Sequence, residues 1–314
     1  MAALNVHLFG KFAVEPDTRP VSALSGAKVQ ELFSYLLLRP RPHPRETLTT
    51  LLWPEVPAVQ AKRYLRKTVW QLQVALGQLG LPSTSPVLRA ENEWLQVSAD
   101  SGLWLDVAEF ERAYQRVEDL SGEEMDAVAA AQVETAVRLY RGDLLEGWYQ
   151  EWCLFERERL ERMYLALLDK LVNYCAAHER YEAGIAYGTC ALRHDPARER
   201  THRRLMRLHA LAGSRSEVMH QYALCVATLR DELGVTPSER TNALYHHLLL
   251  TTAEEAATPP ARPAAGAQPA AEAEVNNTLL RLEQMLHLLG ETQQLVQRNM
   301  TYVAATLDTL RRQA

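Results

Sequence analysis

The sequence predicts a mainly α-helical chain with a small N-terminal α+β domain, a set of paired helices and a C-terminal coiled coil. Strand-like alternation of apolar residues is confined to residues 1–110. From Glu123 to Leu250, six successive segments instead carry apolar residues at spacings of three and four. From Val275 to Leu310 the apolar spacing becomes seven, which is the coiled-coil period.

The N-terminal domain contains both strand and helix patterns. Strands are predicted at Leu4–Val14 and Val21–Leu24, and Ser25 is a good N-cap for a first helix. The later elements are a short helix at Arg45–Leu52, a longer helix at Ala61–Leu76 and a hairpin at Val87–Val97. Strands, three helices and a terminal hairpin are the elements of a winged helix-turn-helix.

The Ala61–Leu76 helix has two chemically different faces. Apolar residues form one stripe at about 100° per residue, namely Ala61, Leu65, Val69, Leu72 and Leu76. The opposite face carries Arg63, Arg66, Lys67, Trp70 and Val74. Because no Asp or Glu occurs from Val56 to Ala90, nothing nearby in sequence neutralises that face. This pattern favours a recognition helix that enters the major groove of DNA.

We predict the following DNA-binding residues: Arg45, Lys62, Arg63, Arg66, Lys67, Trp70, Gln71 and Arg89. The cations would contact phosphates, and Arg63 or Arg66 could also contact a base. Arg45 begins the second helix, where backbone amides attract phosphate, although it could equally be a surface residue. For Trp70 we favour packing against the hairpin or a neighbouring domain over contact with a DNA sugar.

The charge distribution localises this function to the N-terminal domain. The whole chain has a formal charge of -5, which argues against general coating of nucleic acid. Residues 1–110 contain eleven basic against ten acidic residues, a net charge of +1, so the remainder carries -6. Any nucleic-acid binding is therefore predicted for the N-terminal part.

Other patterns favour a cytoplasmic protein that is not an enzyme. Cys153, Cys175, Cys190 and Cys225 all lie in helical patterns without a C-x-x-C pair, as expected of reduced thiols. No secretion signal or membrane span is predicted. Phosphate-loop, nucleophile-elbow and zinc-protease motifs are absent from the sequence, so we predict no cofactor and no metal.

The helical part contains an internal repeat. Glu182, Tyr187 and Cys190 recur 35 residues later as Glu217, Tyr222 and Cys225. This offset is close to the tetratricopeptide period of about 34 residues. Residues 111–250 are therefore predicted to form a tetratricopeptide-like α-solenoid of about three helix pairs.

The C-terminal segments differ sharply in composition. Residues 251–274 are rich in Ala and Pro and are predicted to be a flexible linker. In residues 275–314, ten of eleven core heptad positions are apolar, which predicts self-association through a coiled coil. The predicted oligomerisation residues are Leu279, Leu282, Leu286, Leu289, Val296, Met300, Val303, Leu307 and Leu310. A dimer, a higher oligomer and a helix packed on its own chain all fit this pattern.

Several segments together resemble a known family. They are Leu8-Phe9-Gly10, Leu36–Pro40, Arg45–Glu55, Ala61–Lys67, Leu72–Gly77, Leu105–Phe110, Leu139–Gly147, Asp195–Met206 and Arg230–Ser238. In this order they resemble the SARP-type bacterial transcriptional activators, which join an OmpR-like winged helix to a bacterial transcriptional activator domain. The resemblance implies that Ala61–Leu76 is the recognition helix and Val87–Val97 the wing. It also implies promoter DNA and RNA polymerase as partners.

The chain departs from the family pattern at two places. Leu72-Gln73-Val74 replaces a segment that is usually basic, and Glu93-Trp94-Leu95-Gln96 replaces a G-Y-x-L wing. These departures place the predicted DNA contact on the N-terminal half of the helix. Two hypotheses therefore stand: a DNA-binding regulator, with domains at 1–110, 111–250, 251–274 and 275–314, or an interaction scaffold whose degenerate winged helix does not bind DNA. The sequence does not decide a third, small-molecule sensing by the helical repeats.

Overall fold

Two short strands open the described chain, and Gly10 lies in the turn between them. β1 (Leu4–His7) pairs antiparallel with β2 (Ala13–Glu15), while Gly10 has a φ of 83°, a conformation that favours glycine. The prediction of one strand over Leu4–Val14 was wrong, because apolar alternation continues on both sides of this turn. Most of the predicted strand at Val21–Leu24 lies outside the described residues. The computed structural model describes residues 4–15, 24, 26–78, 87–98 and 102–257, with side chains up to 250.

The remaining elements are mostly helices. Their bounds are α1 (Ala27–Leu38), α2 (Arg45–Leu52), α3 (Ala58–Gln78), α4 (Asp106–Val117), α5 (Ala127–Leu139), α6 (Glu151–Ala177), α7 (Tyr181–His194), α8 (Glu199–Leu211), α9 (Arg215–Leu233) and α10 (Glu239–Ala257). The other strands are β3 (His43–Pro44), β4 (Leu88–Ala90), β5 (Trp94–Val97) and β6 (Leu103–Leu105). Neither α4 nor β6 was predicted from the sequence.

Two three-stranded sheets frame the first three helices. One has the order β2-β1-β6, with β6 parallel to β1, and the other has the order β3-β5-β4 with antiparallel neighbours. Helix α2 has the predicted bounds, and α3 extends beyond the predicted helix at both ends. The N-cap of α1 is Gly26 rather than Ser25, and Gly26 has extended backbone without a side-chain cap.

Asp106, at the start of α4, is hydrogen-bonded to the residues that follow β1. Its carboxylate accepts backbone hydrogen bonds from Leu8 at 2.9 Å, Phe9 at 3.0 Å and Val107 at 2.7 Å. The side chain is 1% exposed, and burial raises the pKa of its carboxyl. This contact joins positions almost one hundred residues apart, so β1 and α4 form one structural unit.

The same N-terminal segment also contacts the loop before α6. Gly10 donates its N–H to the Asp143 carbonyl at 2.9 Å, and Leu145 donates to the Leu8 carbonyl at 2.8 Å. Leu145 has a φ of 50°, which is uncommon outside glycine. The guanidinium of Arg157 donates to the carbonyls of Leu144, Leu145 and Trp148 at 2.9 to 3.1 Å. These bonds hold the loop in its unusual conformation.

An apolar core continues from the first strand into α7. Phe9 packs against Tyr140 at a ring-centroid distance of 4.8 Å, and Tyr35 of α1 meets Trp152 of α6 edge-on at 5.4 Å. Beside this core, Glu156 accepts hydrogen bonds from Arg39 at 2.9 Å and from Arg159 at 2.8 Å. Residues 4–257 accordingly belong to one compact unit.

The second half of the unit is a stack of helices in sequence order. Each helix from α6 to α10 packs against the one before it, and α10 also contacts α8. Glu182, Tyr187 and Cys190 lie in α7, and their counterparts 35 residues later lie in α9. The sequence repeat therefore corresponds to helices one pair apart.

Helix α10 ends at Ala257, so the first residues of the segment predicted as linker are helical. The sequence TTAEEAA accounts for this, since Ala and Glu are strong helix formers. The predicted coiled coil at 275–314, with its oligomerisation residues, lies outside the described residues. Among the helices that the structure describes, none is long and apolar enough to cross a membrane.

Candidate nucleic-acid interface

Helix α3 buries one face and exposes the other, as the sequence predicted. The apolar stripe is 0 to 6% exposed at Ala61, Leu65, Val69, Leu72 and Leu76. Burial of these side chains stabilises the helix against α1 and α2. The rotation of α3 about its axis is thereby fixed, so the polar face points away from the core.

The predicted basic residues of α3 all lie on its exposed side. Lys62, Arg63, Arg66 and Lys67 are exposed, and they occupy the N-terminal half of the helix. Within the described part of the chain, Arg63, Arg66 and Lys67 form no ion pair. Arg66 makes only a weak hydrogen bond, 3.4 Å from its Nε to the Lys62 carbonyl. Three cations are therefore available to a ligand.

A groove separates this half of α3 from the β4–β5 hairpin. It has a volume of about 690 Å³ and is lined by Pro44, Arg45, Glu46, Lys62, Leu65, Arg66, Asn92, Glu93 and Trp94. Cationic side chains line its α2 and α3 sides, while Asn92 and Glu93 come from the hairpin tip. We call this the α3 groove. It brings three of the eight predicted site residues together, namely Arg45, Lys62 and Arg66.

Arg45 fixes the hairpin beside α3. Its backbone N–H donates to the Glu93 carbonyl at 2.9 Å, and its Nε donates to the Glu91 carbonyl at 3.0 Å. Partial burial and the nearby Arg66 both lower the pKa of its guanidinium. Arg45 therefore holds the hairpin and lines the α3 groove, which is more than the surface position that the sequence suggested.

Lys62 differs from the other cations because it is paired. Its Nζ lies 2.9 Å from Oε1 of Glu46, and both side chains are exposed. The hydrogen bond and charge of Lys62 lower the pKa of the Glu46 carboxyl, so the pair is charged at neutral pH. Sequence reasoning did not identify Glu46, which lies in the first turn of another helix and has no local signal.

The other predicted residues lie outside the α3 groove. Trp70 is 62% exposed, so the favoured interpretation that it packs against the hairpin or a neighbouring domain was wrong for the described residues. Gln71 is also exposed. Arg89 of β4 lines a separate groove of about 470 Å³ with Arg41 and Trp94. The hairpin therefore presents a second, smaller basic surface.

Comparisons with known proteins agree with this architecture. Residues 105–249 match the family model of the bacterial transcriptional activator domain. The chain is also similar to Mycobacterium tuberculosis EmbR, solved in complex with a low-affinity phosphopeptide, with 23% identity and a TM-score of 0.59. The match covers 82% of this chain and 71% of EmbR.

The chain therefore contains a bacterial transcriptional activator domain at residues 105–249. The likeness to EmbR shows the fold alone. A second similar structure is the C-terminal TPR-containing domain of a Plasmodium falciparum FK506-binding protein, at 13% identity, a TM-score of 0.34 and coverage of 49% of this chain and 91% of that domain. At that TM-score it carries no structural conclusion. The comparison with curated proteins finds no match.

The segments by which the chain resembles its family now have structural roles. Leu8-Phe9-Gly10 contacts both Asp106, within Leu105–Phe110, and the loop within Leu139–Gly147. These three segments meet at one place, although they are far apart in sequence. The SARP-type pattern in this region therefore marks the junction between the first and second halves of the unit.

Proposed function

We propose that this chain is a SARP-type regulator that binds promoter DNA through a winged helix, with α3 as recognition helix and β4–β5 as wing. The observation that carries the proposal is the exposed cationic patch of Arg63, Arg66 and Lys67, which forms no ion pair with the described residues, on a helix whose other face is buried. Cations on a fixed helix face can neutralise phosphates on both sides of the major groove while one side chain contacts a base edge. The protein would be cytoplasmic and would act by binding rather than by catalysis.

The hairpin supports a role as wing through its fixed position. Arg45 holds both Glu91 and Glu93 by their carbonyls, so the hairpin tip cannot move independently of α2. A rigid hairpin keeps Arg89 beside Arg41, so a neighbouring stretch of phosphate backbone could contact both. We propose that this smaller surface extends the contact made by α3.

The proposal is tested by DNA binding at several salt concentrations. Fragments bound by the full chain are first selected from the host genome, and fluorescence anisotropy then measures their affinity. The triple variant R63A/R66A/K67A is expected to reduce the slope of log affinity against log salt by about 1.8 if one of the three side chains contacts a base, and by about 2.7 if all three contact phosphates, since each phosphate contact contributes about 0.9. Circular dichroism should be unchanged because the three side chains are exposed.

A charge-matched variant provides the control. R193A/R215A/R230A removes three exposed arginines from α7 and α9 and should retain the wild-type slope. Equal slopes for the wild type and the α3 variant would refute the assignment of α3. A matching fall in the control variant would show that net charge, rather than α3, governs binding.

A second candidate function is an interaction scaffold with a winged helix that does not bind DNA. The specific observation in its favour is that carboxylates border the α3 groove: Glu46 pairs with Lys62, and Glu93 lines the opposite side. Gln73 and Val74 are also exposed where the family usually has basic residues. This function would be supported if genome selection with the full chain enriched no fragment.

Partners beyond DNA follow from the family resemblance and the heptad pattern. We propose that the helical part contacts RNA polymerase and that residues 275–314 self-associate, which would raise the local concentration of winged helices. The double variant L282K/L289K places charge at two heptad core positions. Sedimentation should then show a smaller species than the wild type, and an unchanged mass would refute self-association through this segment.

A further inference from the structure

A second groove, in the helical half of the unit, is strongly basic. It has a volume of about 680 Å³ and lies among α6, α8 and α10, close to Glu123. Five arginines line it, Arg200, Arg203, Arg204, Arg207 and Arg240, against the single carboxylate of Glu123. We call this the arginine groove. Such an excess of cations is unexpected here, because residues 111–314 carry a net charge of -6.

The arginines of this groove are only partly neutralised by the protein. Arg204 pairs with Asp169, and Arg203 lies 3.5 Å from Glu199. Among the described residues, Arg200, Arg207 and Arg240 form no ion pair. Burial lowers the pKa of the Arg207 guanidinium, and the neighbouring charges of Arg240 and Arg203 lower it further. The positive charges thus repel one another, and a bound anion would relieve that repulsion.

The groove also has an apolar floor. Leu211, which is 56% exposed, and the half-buried Ala176 line it together with the buried Val172 and Leu208. A volume of this size is typical of small-molecule sites, in which apolar walls are combined with a few polar groups. Arginine is suited to phosphate because its planar fork can donate two parallel hydrogen bonds to one oxyanion group.

We propose that the arginine groove binds a small phosphorylated molecule, with its phosphate between Arg207 and Arg240 and its remaining atoms on the apolar floor. The apolar lining favours this ligand over DNA, because the phosphate backbone of a duplex has no comparable apolar group to place against it. The side chains of Arg203 and Arg204 are only 16% and 11% exposed, so the phosphate is assigned to the exposed Arg207 and Arg240.

Titration calorimetry on the full chain tests the proposal, with inorganic pyrophosphate and adenosine diphosphate as probes. At least one probe is expected to bind saturably, and R207A/R240A should weaken it by at least about tenfold, the scale of losing charge-assisted hydrogen bonds. Both replaced arginines are exposed and unpaired in the described structure, so the variant should fold normally. R215A/R230A removes the same charge from exposed positions on α9 and should bind like the wild type.

Each other outcome overturns the inference. Absence of saturable binding for both probes would exclude a phosphate site, and equal affinity in R207A/R240A would place binding elsewhere. If R207A/R240A bound both probes like the wild type but lost affinity in the separate anisotropy assay with DNA, the arginine groove would be part of the DNA contact surface instead. Because the calorimetric assay contains no DNA, its result is independent of whether α3 is a recognition helix.

Discussion

Replacing Glu46 with Gln tests whether the α3 groove is used for DNA. The carboxylate of Glu46 lies 2.9 Å from the Lys62 ammonium and competes with any phosphate for it. Glutamine keeps the size and a hydrogen-bonding oxygen but removes the negative charge. Since Glu46 is exposed and contributes little to the core, the variant should fold like the wild type. We expect E46Q to bind DNA more tightly.

The magnitude follows from the number of cations released. The wild type offers Arg63, Arg66 and Lys67, and E46Q adds Lys62 as a fourth. One further phosphate contact steepens the log–log salt dependence by about 0.9, so the affinity gain at 50 mM salt should exceed that at 200 mM by roughly 3.5-fold. Anisotropy titrations of one selected duplex at both salt concentrations measure this ratio directly.

The control replaces an exposed carboxylate elsewhere by the same change. E232Q on α9 alters net charge equally but lies outside the α3 groove. If E46Q and E232Q gave the same affinities and slopes, Lys62 would not contact phosphate, and the α3 groove would not be part of the DNA contact. A loss of affinity in E46Q would show that the Lys62–Glu46 pair positions α3 instead of masking it.

Three further predictions concern stability, measured by chemical or thermal unfolding of the full chain. D106N should lower the free energy of unfolding by about 2 to 4 kcal/mol, because a neutral amide replaces a buried carboxylate that accepts several backbone hydrogen bonds. An unchanged melting temperature would refute this role of Asp106. G122A should lower the free energy of unfolding by about 1 to 3 kcal/mol, since the added carbon would lie 2.2 Å from the Lys170 carbonyl oxygen. An unchanged stability would mean that the backbone around Gly122 shifts freely. Burial lowers the pKa of His202, whose ring accepts a hydrogen bond from Gln221. The folded state therefore binds this proton at a lower pH than the unfolded state does. The contribution of His202 to the free energy of unfolding should be fully present above about pH 6.5 and should decrease as the pH falls below that value. The decrease should be shallower in H202N.

Local periodicity was sufficient to predict α3, because burial of one helix face is encoded within a few turns. Ala61, Leu65 and Leu72 are buried and Arg63 and Lys67 are exposed, as their spacing indicates. The bounds of α2 were predicted for the same reason. The hairpin was also predicted, since β4 and β5 are adjacent in sequence and need no distant partner.

Contacts between distant segments could not be predicted in this way. Asp106 occurs in a plain helix start, and nothing near it reveals that its partners are Leu8 and Phe9. Glu46 pairs with a residue on another helix for which the sequence gives no register. Such contacts are set by tertiary packing, whereas periodicity reports only which face of one element is buried.

The arginine groove shows the same limit more clearly. In sequence, Arg200, Arg203, Arg204 and Arg207 have the spacing of one helix face, which is usually a solvated surface. Only the fold brings Arg240 of α10 against that face and places Val172 of α6 beneath it. A charged stripe becomes a candidate site when a second element closes over it, and that step has no sequence signature.

Helix α6 extends from the N-terminal half of the unit to the arginine groove. Near its start, Trp152 and Glu156 contact Tyr35 and Arg39 of the N-terminal half, and near its end Val172 lines the arginine groove. A continuous helix of 27 residues can move only as a body, so a shift at one end displaces contacts at the other. A ligand in the arginine groove would nevertheless change DNA affinity only if α6 could adopt two positions and the ligand bound more tightly to the protein in one of them. The test measures the DNA affinity of the wild type and of R207A/R240A, each with and without adenosine diphosphate. Equal DNA affinity in all four cases would mean that α6 does not couple the ligand to DNA binding.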